Sequence, residues 1–121
     1  MFSLISPFHG LGGNGAKAYQ CIGCGSLITH SDQLLRMGNS NRHLFVNPAG
    51  IQCDFHTFSS CQGVVAHGPA TEADTWFPGY RWRMAFCRHC GQHLGWHYEA
   101  VSPLDRPNEF WGILVTYLLS V

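Results

Sequence analysis

The sequence has little charge and no long hydrophobic run, and each absence excludes a class of partner. Only 12% of its residues are charged, and seven basic side chains balance seven acidic ones. No basic field is therefore present to hold a nucleic-acid polymer. The longest apolar run, Phe110 to Leu119, falls well short of the roughly 20 residues needed to cross a bilayer. A signal peptide is not indicated either, since the first positive charge is Lys17, and we expect a cytoplasmic protein without a membrane partner.

Amphipathic helix patterns are also missing, because no stretch of helical length carries an apolar stripe. Short runs of β-branched and aromatic residues, bounded by Gly, Pro, Asn and Asp, recur instead and predict a mainly β domain. These runs are Leu44 to Asn47, Ile51 to Phe58, Gly63 to His67, Tyr80 to Phe86, His93 to Tyr98 and Phe110 to Leu119. Two proline-containing segments, Pro69 to Asp74 and Pro103 to Asn108, are predicted to be loops.

Glycine is concentrated near the N-terminus, where Gly10, Gly12, Gly13 and Gly15 follow one another closely. Such a composition packs poorly and is typical of a flexible arm. We therefore predict an arm over residues 1–18 and one domain over residues 19–121, which is a size that supports a single modest core.

Cysteine carries the strongest motif, because the sequence contains two matched C-x-x-C-G elements, at 21–25 and at 87–91. Two residues between cysteines let both thiolates turn back to one ion, and a tetrahedral zinc site takes four such ligands. The predicted ligands of one structural zinc ion are Cys21, Cys24, Cys87 and Cys90. A shell of four thiolates leaves no open position for a hydrolytic water.

Other interpretations of these residues fit less well. A redox-active C-x-x-C needs a helix that starts at the cysteine, whereas Cys87 to Cys90 lies between two strand-like runs. A disulfide framework needs an oxidising compartment, for which the sequence gives no indication. Cys53 and Cys61 lie outside both motifs and are typical of small buried residues. Histidines near the second motif, such as His93, are predicted to be surface or hydrogen-bonded side chains rather than ligands.

Aromatic residues flank the second cysteine motif and predict a hairpin. With the motif as its turn, Trp82 would lie opposite Trp96, and Tyr80 opposite Tyr98. Because side chains alternate across a strand, Trp82, Trp96 and Tyr98 would share one face. Trp76 precedes them across the turn-prone sequence Phe-Pro-Gly and could fold back over the pair.

These rings have two interpretations, a small aromatic core or a cage for a ligand. Large rings usually fill cores, but each indole N–H also needs a partner, and several indoles are difficult to bury in a domain of this size. We favour a cage, which suits either a cation or a planar polar ring.

Five segments together carry a family resemblance that runs from about Tyr19 to the C-terminus. They are Asn47 to Gly50, Thr71 to Trp82, Cys87 to Cys90, Leu94 to Tyr98 and Phe110 to Gly112. The chain resembles the CULT family, the thalidomide-binding domain of cereblon, and within it the stand-alone bacterial members. The resemblance implies a β-tent, in which two antiparallel sheets stand roughly at right angles and are pinned by a four-cysteine zinc site.

The resemblance also implies a ligand and its site. A cage of tryptophans takes up a cyclic imide such as glutarimide, and backbone groups bind the imide. The residues implicated in this way are Asn47, Pro48, Asp74, Trp76, Trp82, Trp96 and Tyr98. Uracil-like rings such as uridine, and peptides ending in a cyclic imide, are the related ligands implied. No site for a ubiquitin-ligase adaptor is evident.

Two functions from different classes remain open at this point. The first is a binding module without catalysis, since Glu72, Asp74 and Glu99 have no basic partner by spacing and no nucleophile motif is present. The second is a thiol-dependent enzyme of the methionine sulfoxide reductase type on a related zinc fold. That enzyme would need a reactive thiol outside the zinc motifs, at Cys53 or Cys61.

Overall fold

The computed structural model describes residues 15–120, and this part of the chain is almost entirely β. Two short 3₁₀ turns lie at Ser31–Gln33 and Val115–Tyr117. The strands are β1 (Ala18–Cys21), β2 (Leu27–His30), β3 (Arg42–Val46), β4 (Gln52–Phe58), β5 (Val64–Thr71), β6 (Tyr80–Cys87), β7 (His93–Ala100), β8 (Glu109–Leu114) and β9 (Leu118–Ser120). Neither turn, nor any other helix in this range, has the length and apolarity to cross a membrane.

The strands form two antiparallel sheets, as predicted. The smaller sheet has three strands in the order β2-β1-β9, and the larger has six in the order β3-β4-β8-β7-β6-β5. Most of the arm predicted over residues 1–18 lies outside the described residues. The described part joins the fold at once, because the Lys17 carbonyl accepts a hydrogen bond from Ser31 and β1 begins at Ala18.

Two buried apolar clusters stabilise this arrangement. One joins the two sheets near the cysteine motifs and includes Ile28, Phe58, Leu94 and Ile113, all fully buried. The other lies at the far end of the larger sheet, where Tyr80, Tyr98 and Phe110 are buried. The rings of Phe77, Trp82 and Trp96 pack against them. Removal of apolar surface from water is the main favourable contribution to folding, so these clusters define the core.

The strands differ from the prediction in three respects, each for a local reason. Strands β1 and β2 were not predicted, because each has only four residues and the first cysteine motif interrupts the pattern between them. The segment predicted as a loop from Pro69 is strand up to Thr71. Proline is tolerated there because β5 is an edge strand with a register shift between His67 and Thr71. The run from Phe110 divides after Leu114, where the chain leaves the larger sheet for the smaller one.

The predicted register of the β6–β7 hairpin is wrong by two residues. Trp82 pairs with Tyr98, and Met84 pairs with Trp96. One residue of the difference arises at the turn, where the Cys87 N–H donates to the Gln92 carbonyl at 2.8 Å. The other arises at a bulge beside Ala85 and Phe86. A shift of two residues preserves the face of every side chain, so Trp82, Trp96 and Tyr98 do share one face, here called the cavity face.

Strands β7 and β8 approach each other closely at Gly95 and Gly112. We expect alanine substitutions at these two glycines to reduce stability by different amounts. A Cβ at Gly95 would overlap the backbone carbonyl oxygen of Gly112, whereas a Cβ at Gly112 would lie 3.0 Å from a ring atom of Phe55. We expect Gly95→Ala to lower the free energy of unfolding by about 3 kcal/mol or more. Gly112→Ala, whose neighbour is a side chain that can shift, should cost less. Urea unfolding of both variants measures the difference, and equal losses would contradict this interpretation.

Candidate functional site

Four cysteines converge, two at the ends of strands from the two sheets and two in the turns that follow those strands. Their Sγ atoms all lie within 4.8 Å of one another, and the Cys21–Cys90 and Cys24–Cys87 sulfur pairs are each separated by 3.7 Å. Zinc–sulfur bonds of about 2.3 Å in a tetrahedron place the sulfurs about 3.8 Å apart. The geometry therefore fits one zinc ion bound by the four predicted ligands.

The backbone around the cysteines is shaped for this convergence. The N–H groups of Gly25 and Gly91 donate to the carbonyls of Cys21 and Cys87 at 2.8 and 3.0 Å. Both glycines have positive φ angles, 77° and 80°, which residues with a Cβ rarely adopt. Glycine directly follows each of the two C-x-x-C elements, and this repeated pattern thus has a conformational cause.

A serine hydroxyl lies between the two cysteine motifs. Ser26 Oγ is 3.2 Å from Cys24 Sγ and 3.4 Å from Cys87 Sγ. Burial raises the pKa of the Cys87 thiol, but hydrogen bonds from Ser26 and from the backbone N–H groups of Cys90 and His89 outweigh burial and bring the pKa to about 6. Zinc requires the thiolate, so these hydrogen bonds prepare Cys87 for coordination.

The two cysteines outside this centre are buried. Cys53 and Cys61 are 5% and 4% exposed, and burial raises the pKa of both thiols. A reactive cysteine needs an accessible thiolate. Among residues 15–120 no cysteine outside the zinc centre meets that requirement, so the methionine sulfoxide reductase alternative has no support.

An aromatic cavity of about 350 Å³ opens on the cavity face of the larger sheet. All the site residues predicted from the resemblance line it, together with two that were not predicted, Met84 and His93. The complete lining is Asn47, Pro48, Asp74, Trp76, Trp82, Met84, His93, Trp96 and Tyr98. The structure thus brings residues from four separate segments of the chain to one cavity.

Two of the indoles form perpendicular walls. The rings of Trp76 and Trp96 are 5.1 Å apart at an interplanar angle of 83°. Phe45 and Phe55 stack nearly parallel to Trp76, at 5.3 and 5.6 Å. The Trp82 indole N–H donates to the Ala73 carbonyl at 2.9 Å. Packing and hydrogen bonding therefore fix these rings through contacts within the protein, which is the preorganisation that a binding site needs.

Tyr98 lies deeper in the protein than the three tryptophans of the cavity. It is only 1% exposed, and its ring stacks on Phe110 at 4.8 Å and meets the edge of Phe77 at 5.0 Å. Tyr98 therefore closes the floor of the cavity, and burial raises the pKa of its hydroxyl.

The loop before β6 brings backbone groups to the cavity. Thr75 Oγ1 accepts the Phe77 N–H at 3.3 Å, and Thr71 Oγ1 accepts the Ala73 N–H at 3.0 Å. Asp74 adopts a left-handed conformation with φ of 54°. Within the described part of the chain, no backbone hydrogen bond involves Asp74 or Trp76, so their amide and carbonyl groups are available to a ligand.

The opposite rim is held by one side chain. Asn47 Oδ1 accepts the N–H groups of Ala49 and Ile51 at 3.0 and 2.9 Å. The Asn47 N–H in turn donates to the Ile51 carbonyl at 2.9 Å. These bonds fix the loop that presents Pro48 to the cavity.

Comparison with known proteins identifies relatives of this arrangement. A family model described as Yippee zinc-binding/DNA-binding/Mis18, centromere assembly, matches residues 17–116. The chain is 32% identical over 102 residues to protein cereblon of Drosophila virilis, covering 78% of the chain and 15% of that relative. It is 40% identical over 76 residues to protein cereblon of Gallus gallus, covering 62% of the chain and 17% of that relative. The chain thus spans about a sixth of the length of these relatives.

A solved structure shares the fold. The crystal structure of a Mis18 "Yippee-like" domain superposes with a TM-score of 0.60, covering 88% of this chain and 95% of that one. Sequence identity is 14%, so this likeness concerns the fold alone.

The four-thiolate geometry predicts that loss of one ligand releases the metal. Cys90 is exposed, so Cys90→Ala removes little packing, and we expect the affinity for zinc to fall by more than about 100-fold. Competition with a chromophoric chelator measures that affinity, and elemental analysis should find one zinc ion in the unaltered protein. Cys53→Ala, which removes a buried thiol outside the zinc centre, is the control and should keep one equivalent of zinc. An unchanged affinity in Cys90→Ala would show that Cys90 is not a ligand.

Proposed function

The chain belongs to the Yippee-Mis18 family of zinc-binding domains, and from that premise we propose that it is a binding module for a small planar ring. The ligands proposed are cyclic imides of the glutarimide and thalidomide type, uracil-like rings such as uridine, and peptides ending in a cyclic imide. One observation carries the proposal: three indoles and the unpartnered backbone of Asp74 and Trp76 line the same cavity. Similarity to cereblon over most of the chain supports it.

The chemistry of an imide matches these groups. An imide presents one N–H between two carbonyls. In the proposed complex the Trp76 N–H donates to an imide carbonyl, and the Asp74 carbonyl accepts the imide N–H. Indole rings cover the apolar parts of the ligand, and the cavity then combines an apolar lining with a few fixed polar groups, as small-molecule sites usually do.

The proposed module binds its ligand and does not catalyse a reaction on it. The polar side chains of the lining are Asn47, Asp74, His93 and Tyr98. None of these is a serine, cysteine or lysine nucleophile, and the His93 Nε2 is already bonded to the Gly95 carbonyl at 2.9 Å. An activated nucleophile needs a base within hydrogen-bond reach, and the described lining supplies no such pair.

The family description also mentions DNA binding, but the charges of this chain favour a small ligand. Basic and acidic side chains are equal in number. Arg42 is paired with Asp54, and Arg81 and Arg83 are both paired with Glu99. Paired cations are poorly placed to neutralise phosphates. The cytoplasmic location and the bacterial origin remain predictions from the sequence.

Tryptophan fluorescence tests the proposal directly. Titration of the zinc-loaded protein with glutarimide and with uridine should quench its emission in a saturable way. Trp82→Ala should weaken binding by about 2 to 4 kcal/mol, since truncation of a central aromatic anchor has that typical cost.

The fourth tryptophan provides the control. Trp111 packs on His97 at 4.3 Å and lies outside the cavity lining. Trp111→Phe should therefore reduce background emission and leave the quenching by ligand intact. If the folded, zinc-loaded protein shows no response to either ligand, by fluorescence or by calorimetry, the cavity is not a site for such rings.

A further inference from the structure

The cavity continues beyond the three indoles toward the zinc end of the sheet. Along β6 and β7 the cross-strand pairs follow one another as Trp82 with Tyr98, Met84 with Trp96, and Phe86 with His93. Successive pairs are about 7 Å apart, because strands rise about 3.3 Å per residue. Met84 thus lies level with Trp96, and His93 extends the cavity one pair further. The volume of about 350 Å³ lies in the range of about 300 to 1,000 Å³ that holds drug-sized ligands. A single six-membered ring leaves this extension empty.

A β-bulge brings His93 to the cavity. In a regular strand, alternation would place residue 93 on the opposite face from Trp96 and Tyr98. The register shift beside Ala85 and Phe86 makes Leu94 the extra residue, and His93 then pairs with Phe86 on the cavity face. Bulges of this kind are over-represented beside functional sites, where they re-aim a side chain.

The ring of His93 offers one hydrogen-bond acceptor. Its Nε2 lies 2.9 Å from the Gly95 carbonyl oxygen. A carbonyl can only accept, so Nε2 carries the proton and the Nδ1 of the neutral ring is an acceptor. Among the hydrogen bonds of residues 15–120, the His93 ring takes part through Nε2, which leaves Nδ1 as the atom that can accept from a ligand. Trp96 and Phe86 flank the ring at 5.8 and 5.6 Å, which fixes its orientation.

We propose that the natural ligand carries a substituent with an N–H or O–H donor beside its planar ring, and that His93 Nδ1 accepts this hydrogen bond. The apolar part of the substituent packs on Met84, which is 40% exposed. The inference rests on the proposed function and narrows its ligands to substituted rings. Two sources supply this chemistry: the acylamino group of a peptide-derived cyclic imide, and the ribose hydroxyls of a uracil nucleoside.

Two ligand pairs test the inference, each pair differing in the donor. The first is 3-acetamidoglutarimide with its N-methylacetamido counterpart, and the second is uridine with its tri-O-methyl counterpart. The unaltered protein should bind the donor-bearing member of at least one pair about two- to tenfold more tightly, as the loss of one hydrogen bond predicts. The pair that shows the preference identifies whether the natural ligand is a peptide-derived cyclic imide or a uracil nucleoside.

Variants of His93 then test whether this residue causes the preference for the donor-bearing ligand. In His93→Phe, which keeps a ring but lacks an acceptor, the ratio of the two dissociation constants should fall close to one. His93→Gln should retain part of the preference, because its amide can both donate to Gly95 and accept from the ligand. His67→Phe is the matched control, since His67 is an exposed histidine on β5 outside the cavity lining. That variant should keep the full preference. Zinc content and urea unfolding establish that each variant is folded.

The outcomes separate this inference from the proposed function. If bare glutarimide and uracil bind but the unaltered protein shows no preference within either pair, the inference is overturned and the proposed function stands. If His93→Phe keeps the full preference for the donor-bearing ligand, the inference is likewise overturned and the proposed function stands. If neither bare ring binds the unaltered protein, both fail.

Discussion

Zinc coordination across two sheets is the interaction on which the rest of this structure depends. Cys21 ends a strand of the smaller sheet and Cys87 ends a strand of the larger one. Structural zinc in small domains contributes about 10 to 16 kcal/mol of apparent binding energy, as much as the whole stability of a typical domain. The ion also closes the hairpin whose strands carry Trp82 and Trp96. The cavity is therefore built on a frame that the metal fixes.

Sequence patterns predicted the features that depend on local spacing or on alternation. The ligand set follows from paired C-x-x-C-G elements, and the shared face of Trp82, Trp96 and Tyr98 follows from the two-residue period of a strand. Register could not be predicted, because it depends on the number of residues in the turn and on a bulge. A bulge leaves no periodic signal, and alternation across Leu94 and Gly95 is compatible with several pairings.

The same limit explains which cavity residues were missed. Strand alternation and the turn-prone Phe-Pro-Gly sequence supplied the indoles, and the family resemblance added both rim loops. Met84 could have been added from alternation alone, since it lies two residues after Trp82 on the same strand. His93 could not, because without the bulge it would lie on the opposite face. A residue whose position depends on an irregularity of the backbone is found only once that irregularity is seen.

The pairing of the first and last strands has a consequence for protein engineering. Tyr19 of β1, the central strand of the smaller sheet, lies beside Ser120 of the edge strand β9. The two ends of the described domain therefore emerge as neighbours, a geometry that tolerates circular permutation and insertion into other proteins. The domain can therefore be inserted into a surface loop of a host protein, with its two junctions next to each other.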